Sequence, residues 1–92
     1  MEYKKLLLIE KIFKSLSNKK RINILLVIND NPLITLEEIA KKLKINYKTL
    51  SIHIAKLDNA GLIYKNYKSH YVEHKLTPYG EKAVKIITKI FN

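Results

Sequence analysis

Along most of the chain the hydrophobic residues recur every three or four positions, whereas residues 62–76 show a pattern typical of strands. The first pattern predicts helices, and the second, rich in Tyr, Ile and Val, predicts a β-hairpin. The predicted helices span 3–16, 19–28, 36–43, 47–60 and the segment from Pro78 onward, and the hairpin strands span about 62–67 and 70–76. The predicted order is therefore α-α-α-α-β-β-α, a mainly α fold with a small β-hairpin in one domain over residues 1–92.

Capping residues mark where the predicted helices begin. Asn18 and Asn46 precede the second and fourth helices, where their side chains can accept bonds from free backbone N–H groups. Thr35 and Glu38 have the spacing of a capping box at the third helix. The pair Thr77–Pro78 is typical of a helix start, because proline fits the first helical position. Gly61 is expected to end the fourth helix in the left-handed conformation.

The first and last predicted helices are apolar on more than one side. In the first helix Leu6, Ile9, Phe13 and Leu16 share one face, and Leu8 and Ile12 share another. A helix with two apolar sides in so short a chain is expected to pack on its own domain and on a second chain. We predict a homodimer whose interface is formed by Leu8, Ile12, Ile86, Ile87, Ile90 and Phe91.

The composition adds a strong positive charge. The formal net charge is +10, and it is spread over the chain instead of being confined to a tail. A folded basic domain favours a polyanionic partner, most often nucleic acid. The alternative is a lysine-rich proteome, since 17 of the 18 cations are lysine.

Several classes of protein are excluded by composition. The chain has no cysteine, which removes disulfides, thiolate metal sites and cysteine catalysis. No apolar run reaches the length of a membrane span, and the first residues lack the features of a signal peptide. We therefore expect a cytoplasmic protein with no membrane partner.

Two short helices joined by a tight turn, followed by a basic hairpin, are typical of a helix-turn-helix with a wing. The segments SLSNKKRINIL (15–25), TLEEIAKKLKINYKTLSIHIAKLDNAGLI (35–63) and LTPYG (76–80) resemble stretches of ArsR-type winged helix-turn-helix transcriptional regulators. The resemblance implies a homodimer that binds specific double-stranded DNA sequences. It also implies a recognition helix at about 47–60 in the major groove and a wing at 62–76 on the backbone or minor groove.

The amino-terminal end of the fourth helix carries the first candidate DNA contacts. The major groove admits one α-helix, whose first residues meet base edges. The candidates are Tyr47, Lys48, Thr49, Ser51 and Ile52. Ile52 stands where ArsR-type relatives usually have a polar residue, and it can pack on a thymine methyl group. The alternatives are that Ile52 contacts the wing or another protein, or is an isolated exposed apolar side chain.

The resemblance supplies the remaining candidates. His53 matches a histidine of the family and is either a DNA contact or a structural residue at the seam between the helices. Lys56 is expected to bind phosphate, and Lys65, Lys68 and His70 lie where the family has a basic wing tip. Arg21, by contrast, is expected to be structural and to pair with a carboxylate.

Two residues depart from the family pattern. Lys44 and Ser69 stand where glycine is usual. If the site of Lys44 needs a positive φ, this lysine carries a small backbone strain. The turn geometry of the wing is left open by Ser69.

Other functions find weaker support. The positions at which ArsR-type relatives bind sensed metals hold no Cys, His or Asp here, and His70 and His74 alone are a weak metal signal. No nucleophile–base pair or phosphate loop is recognisable, so we expect neither an enzyme nor a cofactor. A winged-helix module for protein–protein interaction is the main alternative, because a fold does not determine a function.

Overall fold

The computed structural model describes residues 1–92 as five helices and three short strands. In chain order these are α1 (Tyr3–Leu16), α2 (Lys19–Asp30), β1 (Ile34–Thr35), α3 (Leu36–Leu43), α4 (Tyr47–Asn59), β2 (Ile63–Tyr67), β3 (Val72–Leu76) and α5 (Pro78–Lys89). The predicted fold class, mainly helical with a small hairpin, is confirmed. None of the five helices has the length and apolar character needed to cross a bilayer.

The predicted capping residues all occupy their expected positions. The Asn18 side chain accepts bonds from the backbone N–H groups of Lys20 and Arg21. Both halves of the capping box between Thr35 and Glu38 are present. The side chains of Asn46 and Thr77 cap α4 and α5 in the same way. Each cap of this kind contributes about 1 kcal/mol, so the helix starts are fixed locally by the sequence.

The strand β1 was missing from the prediction. Ile34 and Thr35 pair antiparallel with His74 and Glu73 of β3, which gives a three-stranded sheet of order β1-β3-β2. A two-residue strand is too short to show a period, and its sequence already fitted a helix start. The hairpin strands are also shorter than predicted, because residues 62, 70 and 71 lie outside them.

The core lies where α2 and α4 meet the sheet. Leu50, Ile54 and Leu57 of α4 are buried, as the predicted apolar stripe requires. Ile24 and Leu25 of α2 lie in the same core cluster. Burying one such side chain is worth about 1.5–3 kcal/mol, so α4 is held firmly by its inner face. Its outer face is left free for other contacts.

The outer faces of α1 and α5 differ in part from the prediction. Ile12 and Ile87, predicted in the dimer interface, are partly buried against the core of their own chain, and Leu8 is half-buried. The apolar side chains that α1 leaves exposed are instead Leu6, Leu7, Ile9 and Phe13. Ile86, Ile90 and Phe91 are exposed as predicted. Periodicity shows that a helix has two apolar faces, but it does not show which of them meets the core.

Three residues have a positive φ. Lys44 ends α3 with φ +54°, so the expected strain at this glycine-replacing lysine is present. Gly61 follows α4 with φ +75°, as predicted. Leu33, with φ +71°, was not anticipated; its backbone N–H donates to the carbonyl of His74, which holds the turn against β3.

Candidate nucleic-acid interface

The helices α3 and α4 form a helix-turn-helix unit. The turn between them contains Lys44 in the left-handed conformation and Asn46 as the cap of α4. The backbone N–H of Ile45 donates to the carbonyl of Ala40, which closes the end of α3. This tight turn fixes the direction of α4 relative to α3. The outer face of α4 therefore has a defined orientation.

Most of the predicted contact residues of α4 are solvent-exposed. Tyr47, Lys48, Ser51, Ile52 and Lys56 are exposed, and Thr49 is half-buried. The exposed fraction of Ile52 is 52%. Because Lys48, Ile52 and Lys56 follow each other at intervals of four residues, they form one line along the helix. The apolar side chain of Ile52 therefore lies between the two lysine side chains.

His53 lies at the seam between α2 and α4. Its Nδ1 is 3.2 Å from Nη1 of Arg21. Because a guanidinium only donates, the imidazole accepts at Nδ1 and is in its neutral form. Burial lowers the pKa of His53 below its usual value, and the charges of Arg21, Lys20 and Lys56 lower it further. This bond to Arg21 supports the structural role, which was one of the two alternatives for His53.

The prediction for Arg21 was wrong in one respect. The side chain is buried and structural, and its Nε donates to the backbone carbonyl of Ser15 at 2.6 Å. The expected carboxylate partner is not present, since all three ion pairs of the structure involve lysine. Arg21 instead joins the end of α1 to α4 through Ser15 and His53. No acidic residue lies near Arg21 in the sequence. The bonds to Ser15 and His53 could not be predicted from it.

The wing is closed without glycine. The backbone N–H of Lys68 donates to the carbonyl of Tyr71 across the turn at 2.9 Å. No residue of the turn has a positive φ, so Ser69 fits without strain. Nζ of Lys65 lies 3.9 Å from Oδ2 of Asp58, and Nζ of Lys68 lies 3.9 Å from Oε1 of Glu73. Surface ion pairs of this kind are weak, so both lysines can exchange a carboxylate for a phosphate.

A cleft of about 440 Å³ separates α4 from the wing. From the predicted set it brings together Tyr47, Ser51, Lys65 and His70. His74 also lines it, but this histidine is only 1% exposed and is bonded through Nδ1 to the carbonyl of Ile34. Burial is the main cause that lowers the pKa of His74.

Two tyrosines of the cleft were missed by sequence reasoning. Tyr67 and Tyr71 line it from the wing. Tyr67 could have been predicted, because residues at alternate positions share one face of a strand and Lys65, two positions earlier, was already a candidate. Tyr71 lies in the turn before β3, where alternation gives no information.

The predicted site residues thus fall into three groups. Lys48, Ile52 and Lys56 lie along α4, with Thr49 beside them, and the cleft holds the four residues named above. Lys68 lies at the wing turn. His53 is separate from these groups, since its bond to Arg21 directs it toward α2.

Residues 18–65 match the model of the bacterial regulatory proteins of the arsR family. The matched residues are more than half of the chain and extend from the cap of α2 into β2. No curated protein is similar to the chain at a significant level.

Solved structures share the fold over nearly the whole chain. HlyU from Vibrio cholerae has a TM-score of 0.86 at 22% identity, covering 99% of this chain and 98% of its own. The homodimeric winged helix-turn-helix DNA-binding domain of a possible ArsR-family transcriptional regulator from Mycobacterium bovis has a TM-score of 0.85 at 18% identity, covering 98% and 85%. Streptococcus pneumoniae FabT in complex with DNA has a TM-score of 0.74 at 20% identity, covering 78% and 52%. At these identities the likeness shows the winged-helix fold.

Proposed function

Because the chain belongs to the arsR family of bacterial regulatory proteins, we propose that it is a transcriptional regulator that binds specific double-stranded DNA sequences as a homodimer. The observation that carries the proposal is the exposed outer face of α4. Residues 47–57 contain no acidic residue, and Lys48 and Lys56 flank Ile52 on this face. Such a surface suits a groove lined by phosphates.

In the proposed complex α4 lies in the major groove. Lys48 and Lys56 contact phosphates, and the hydroxyl groups of Thr49 and Ser51 reach base edges or the backbone. Ile52 packs on a thymine methyl group. Lys65, Lys68 and His70 of the wing contact the adjacent backbone or minor groove. The structural neighbour FabT, which was solved in complex with DNA, supports this use of the fold.

The proposed dimer uses α1 and α5. The exposed apolar side chains include Leu6, Leu7, Ile9 and Phe13 of α1, Ile86 of α5, and Ile90 and Phe91 directly after α5. Exposed apolar surface of this extent drives association. The homodimeric neighbour from Mycobacterium bovis supports a twofold assembly. A dimer presents two copies of α4, which suits an operator with two half-sites.

The regulator acts in the cytoplasm, takes no cofactor or metal and catalyses no reaction. Residues 1–92 form one DNA-binding domain whose first and last helices make the dimer interface.

Selection of bound sequences from random duplexes tests this function. We expect enrichment of a site with two inverted half-sites spaced by about one helical turn, or roughly 34 Å. A chain that enriches no sequence and shows no affinity for duplex DNA in about 50 mM salt, where phosphate contacts are strongest, is not a DNA-binding regulator. That result favours the protein–protein interaction module instead.

A further inference from the structure

Arg21 is a buried cation without an anionic partner. Its side chain is 8% exposed, yet no carboxylate pairs with it. Two of its N–H groups are used, by the carbonyl of Ser15 and by Nδ1 of His53. A guanidinium has five N–H donors, and because no buried side-chain nitrogen lacks a hydrogen-bond partner, the remaining donors of Arg21 lie on its solvent-accessible side. Buried charges are normally paired, because an uncompensated charge in the interior is costly.

The open side of Arg21 faces a polar cavity. This cavity, of about 250 Å³, lies between α1, the first turn of α2 and the last turns of α4. Its lining contains no hydrophobic residue and consists of Lys11, Lys14, Ser15, Arg21, Lys56 and Asn59. Four of the six are cations, and the one carboxylate paired with any of them is Glu10, which lies 3.9 Å from Lys14 on the exposed surface.

We propose that this cavity, hereafter the α1–α4 pocket, binds an oxyanion of the phosphate class. The guanidinium of Arg21 supplies fixed donors at its base, and the three lysines supply charge at its rim. Phosphate is bound in proteins by this combination of guanidinium, ammonium and neutral donors. The Asn59 amide adds an uncharged donor, whereas the Ser15 hydroxyl already donates to the carbonyl of Lys56. A bound anion supplies the charge that Arg21 lacks within the protein.

Two sources can supply such an oxyanion, namely a free phosphate group and the DNA backbone. The pocket favours a free phosphate, because it lies at the carboxyl-terminal end of α4. Lys48 and Lys56 are eight residues apart, which is about 12 Å along the helix. Lys48, Thr49 and Ser51, which are proposed to contact DNA, lie toward the opposite end, whereas Lys56 lines the pocket as well as being proposed to contact a DNA phosphate.

An anion in the α1–α4 pocket also affects the recognition helix. The guanidinium that binds it is bonded to His53 of α4. An effect of the bound anion on DNA binding by α4 rests on the proposed function, whereas the anion site itself does not require DNA binding.

The test is an NMR titration of the native protein with inorganic phosphate, with chloride as the control at matched ionic strength. We expect saturable shifts at the backbone amides of Ser15 and His53 and at the Nε–H of Arg21. The variant Lys11→Gln/Lys14→Gln removes two exposed cations of the rim and is expected to weaken phosphate binding by about tenfold, since two charged contacts are lost. The control Lys82→Gln/Lys85→Gln makes the same charge change on exposed residues of α5, outside the pocket, and is expected to keep native affinity.

A second titration with a duplex of about 20 base pairs distinguishes the sources. Shifts at Ser15 and Arg21 with phosphate alone identify a free oxyanion, and the same shifts with the duplex alone identify the DNA backbone. If neither ligand shifts these groups, or if the α5 control loses as much phosphate affinity as the pocket variant, the site does not exist. A protein that binds phosphate in the pocket but no duplex would refute the proposed function and leave the anion site intact.

Discussion

Nη1 of Arg21 lies 3.2 Å from Nδ1 of His53, so the one arginine of the chain connects α2 to the candidate recognition helix. The same guanidinium holds the end of α1 through the carbonyl of Ser15. Three helices therefore meet at one buried cation. The contact requires a neutral imidazole, and this requirement makes the stability of the fold dependent on pH.

We expect the protein to lose stability below about pH 6.5. The pKa values of His53 and His74 are lowered from 6.5 in the folded state, mainly by burial. As the pH falls through 6.5, the unfolded chain takes up protons at these histidines before the folded chain does, so the free energy of unfolding decreases. Between pH 7.5 and 5.5 the loss is on the order of 1 kcal/mol or less for each histidine.

Urea denaturation at the two pH values measures this loss in the native protein and in His53→Gln. The variant is expected to show a smaller difference between the two pH values, because the contribution of His74 alone remains. A variant that keeps the full native difference would show that His53 is not involved.

Gly80 is expected to tolerate no side chain. A Cβ atom at this position would overlap the backbone carbonyl of Leu62, which belongs to the segment between α4 and β2. Alanine normally stabilises a helix interior relative to glycine by about 1 kcal/mol. Here the overlap outweighs that gain, and we expect Gly80→Ala to lower the free energy of unfolding by about 1–3 kcal/mol.

The control is Lys82→Ala on the exposed side of the same helix, which should change stability by less than about 0.5 kcal/mol. Chemical denaturation checks both variants. A Gly80→Ala protein that is more stable than the native protein would place α5 farther from Leu62 than in the structure.

Features that depend on neighbouring residues could be predicted from the sequence, whereas contacts between distant residues could not. Asn18, Thr35 and Asn46 act on backbone groups within three residues, so sequence alone identified them as caps. The strand β1 depends on pairing Ile34 with His74, forty residues away, and no local pattern shows such a partner. The partner of Arg21 is also distant, since His53 lies 32 residues away on another helix.

The candidate site shows the same division. Helical periodicity separated the buried Leu50 and Ile54 from the exposed Ile52, as the structure confirms. It did not reveal the cleft, because the cleft forms only when the wing folds back toward α4. For α1 it found two apolar faces but assigned Ile12 to the interface, whereas the structure packs Ile12 on the core and exposes Phe13.

The exposed faces of α1 and α5 are expected to associate. Phe13→Glu places a charge in the proposed interface, and in a twofold dimer each substitution acts twice. Losing the burial of one phenylalanine costs about 1.5–3 kcal/mol per copy, so the dissociation constant should rise by at least about a hundredfold.

Sedimentation velocity over a range of protein concentrations measures this change. Tyr64→Glu, a matched change at an exposed aromatic residue of the wing, should leave the dimer intact. A native protein that sediments as a monomer at all micromolar concentrations would contradict the dimer.

Ile52 is expected to read a thymine methyl group. Replacing the contacted thymine by uracil removes the methyl group and leaves the hydrogen-bonding edge unchanged. The expected loss is about 0.8 kcal/mol in native protein, the value of burying one CH₂-sized group, and zero in Ile52→Ala. Once the preferred site is known, binding isotherms of the native protein and Ile52→Ala with the thymine and uracil duplexes give the four affinities of a double-mutant cycle.

Binding to random DNA serves as the control, since a loosened fold would weaken both kinds of binding together. If Ile52→Ala keeps the full preference for thymine at every position of each half-site, Ile52 lies outside the groove. Thr49 and Ser51 are then the remaining candidates for reading the sequence.

The salt dependence of DNA affinity shows whether the outer face of α4 binds duplex DNA. Fluorescence anisotropy at several salt concentrations should give a linear decrease of log affinity with log salt, at about 0.9 for each phosphate neutralised. Lys48→Gln should weaken binding to all sequences and reduce this slope by up to about one unit, whereas Lys82→Gln on α5 should leave both unchanged. Equal losses in the two variants, or an affinity that does not depend on salt, would show that the outer face of α4 does not bind DNA.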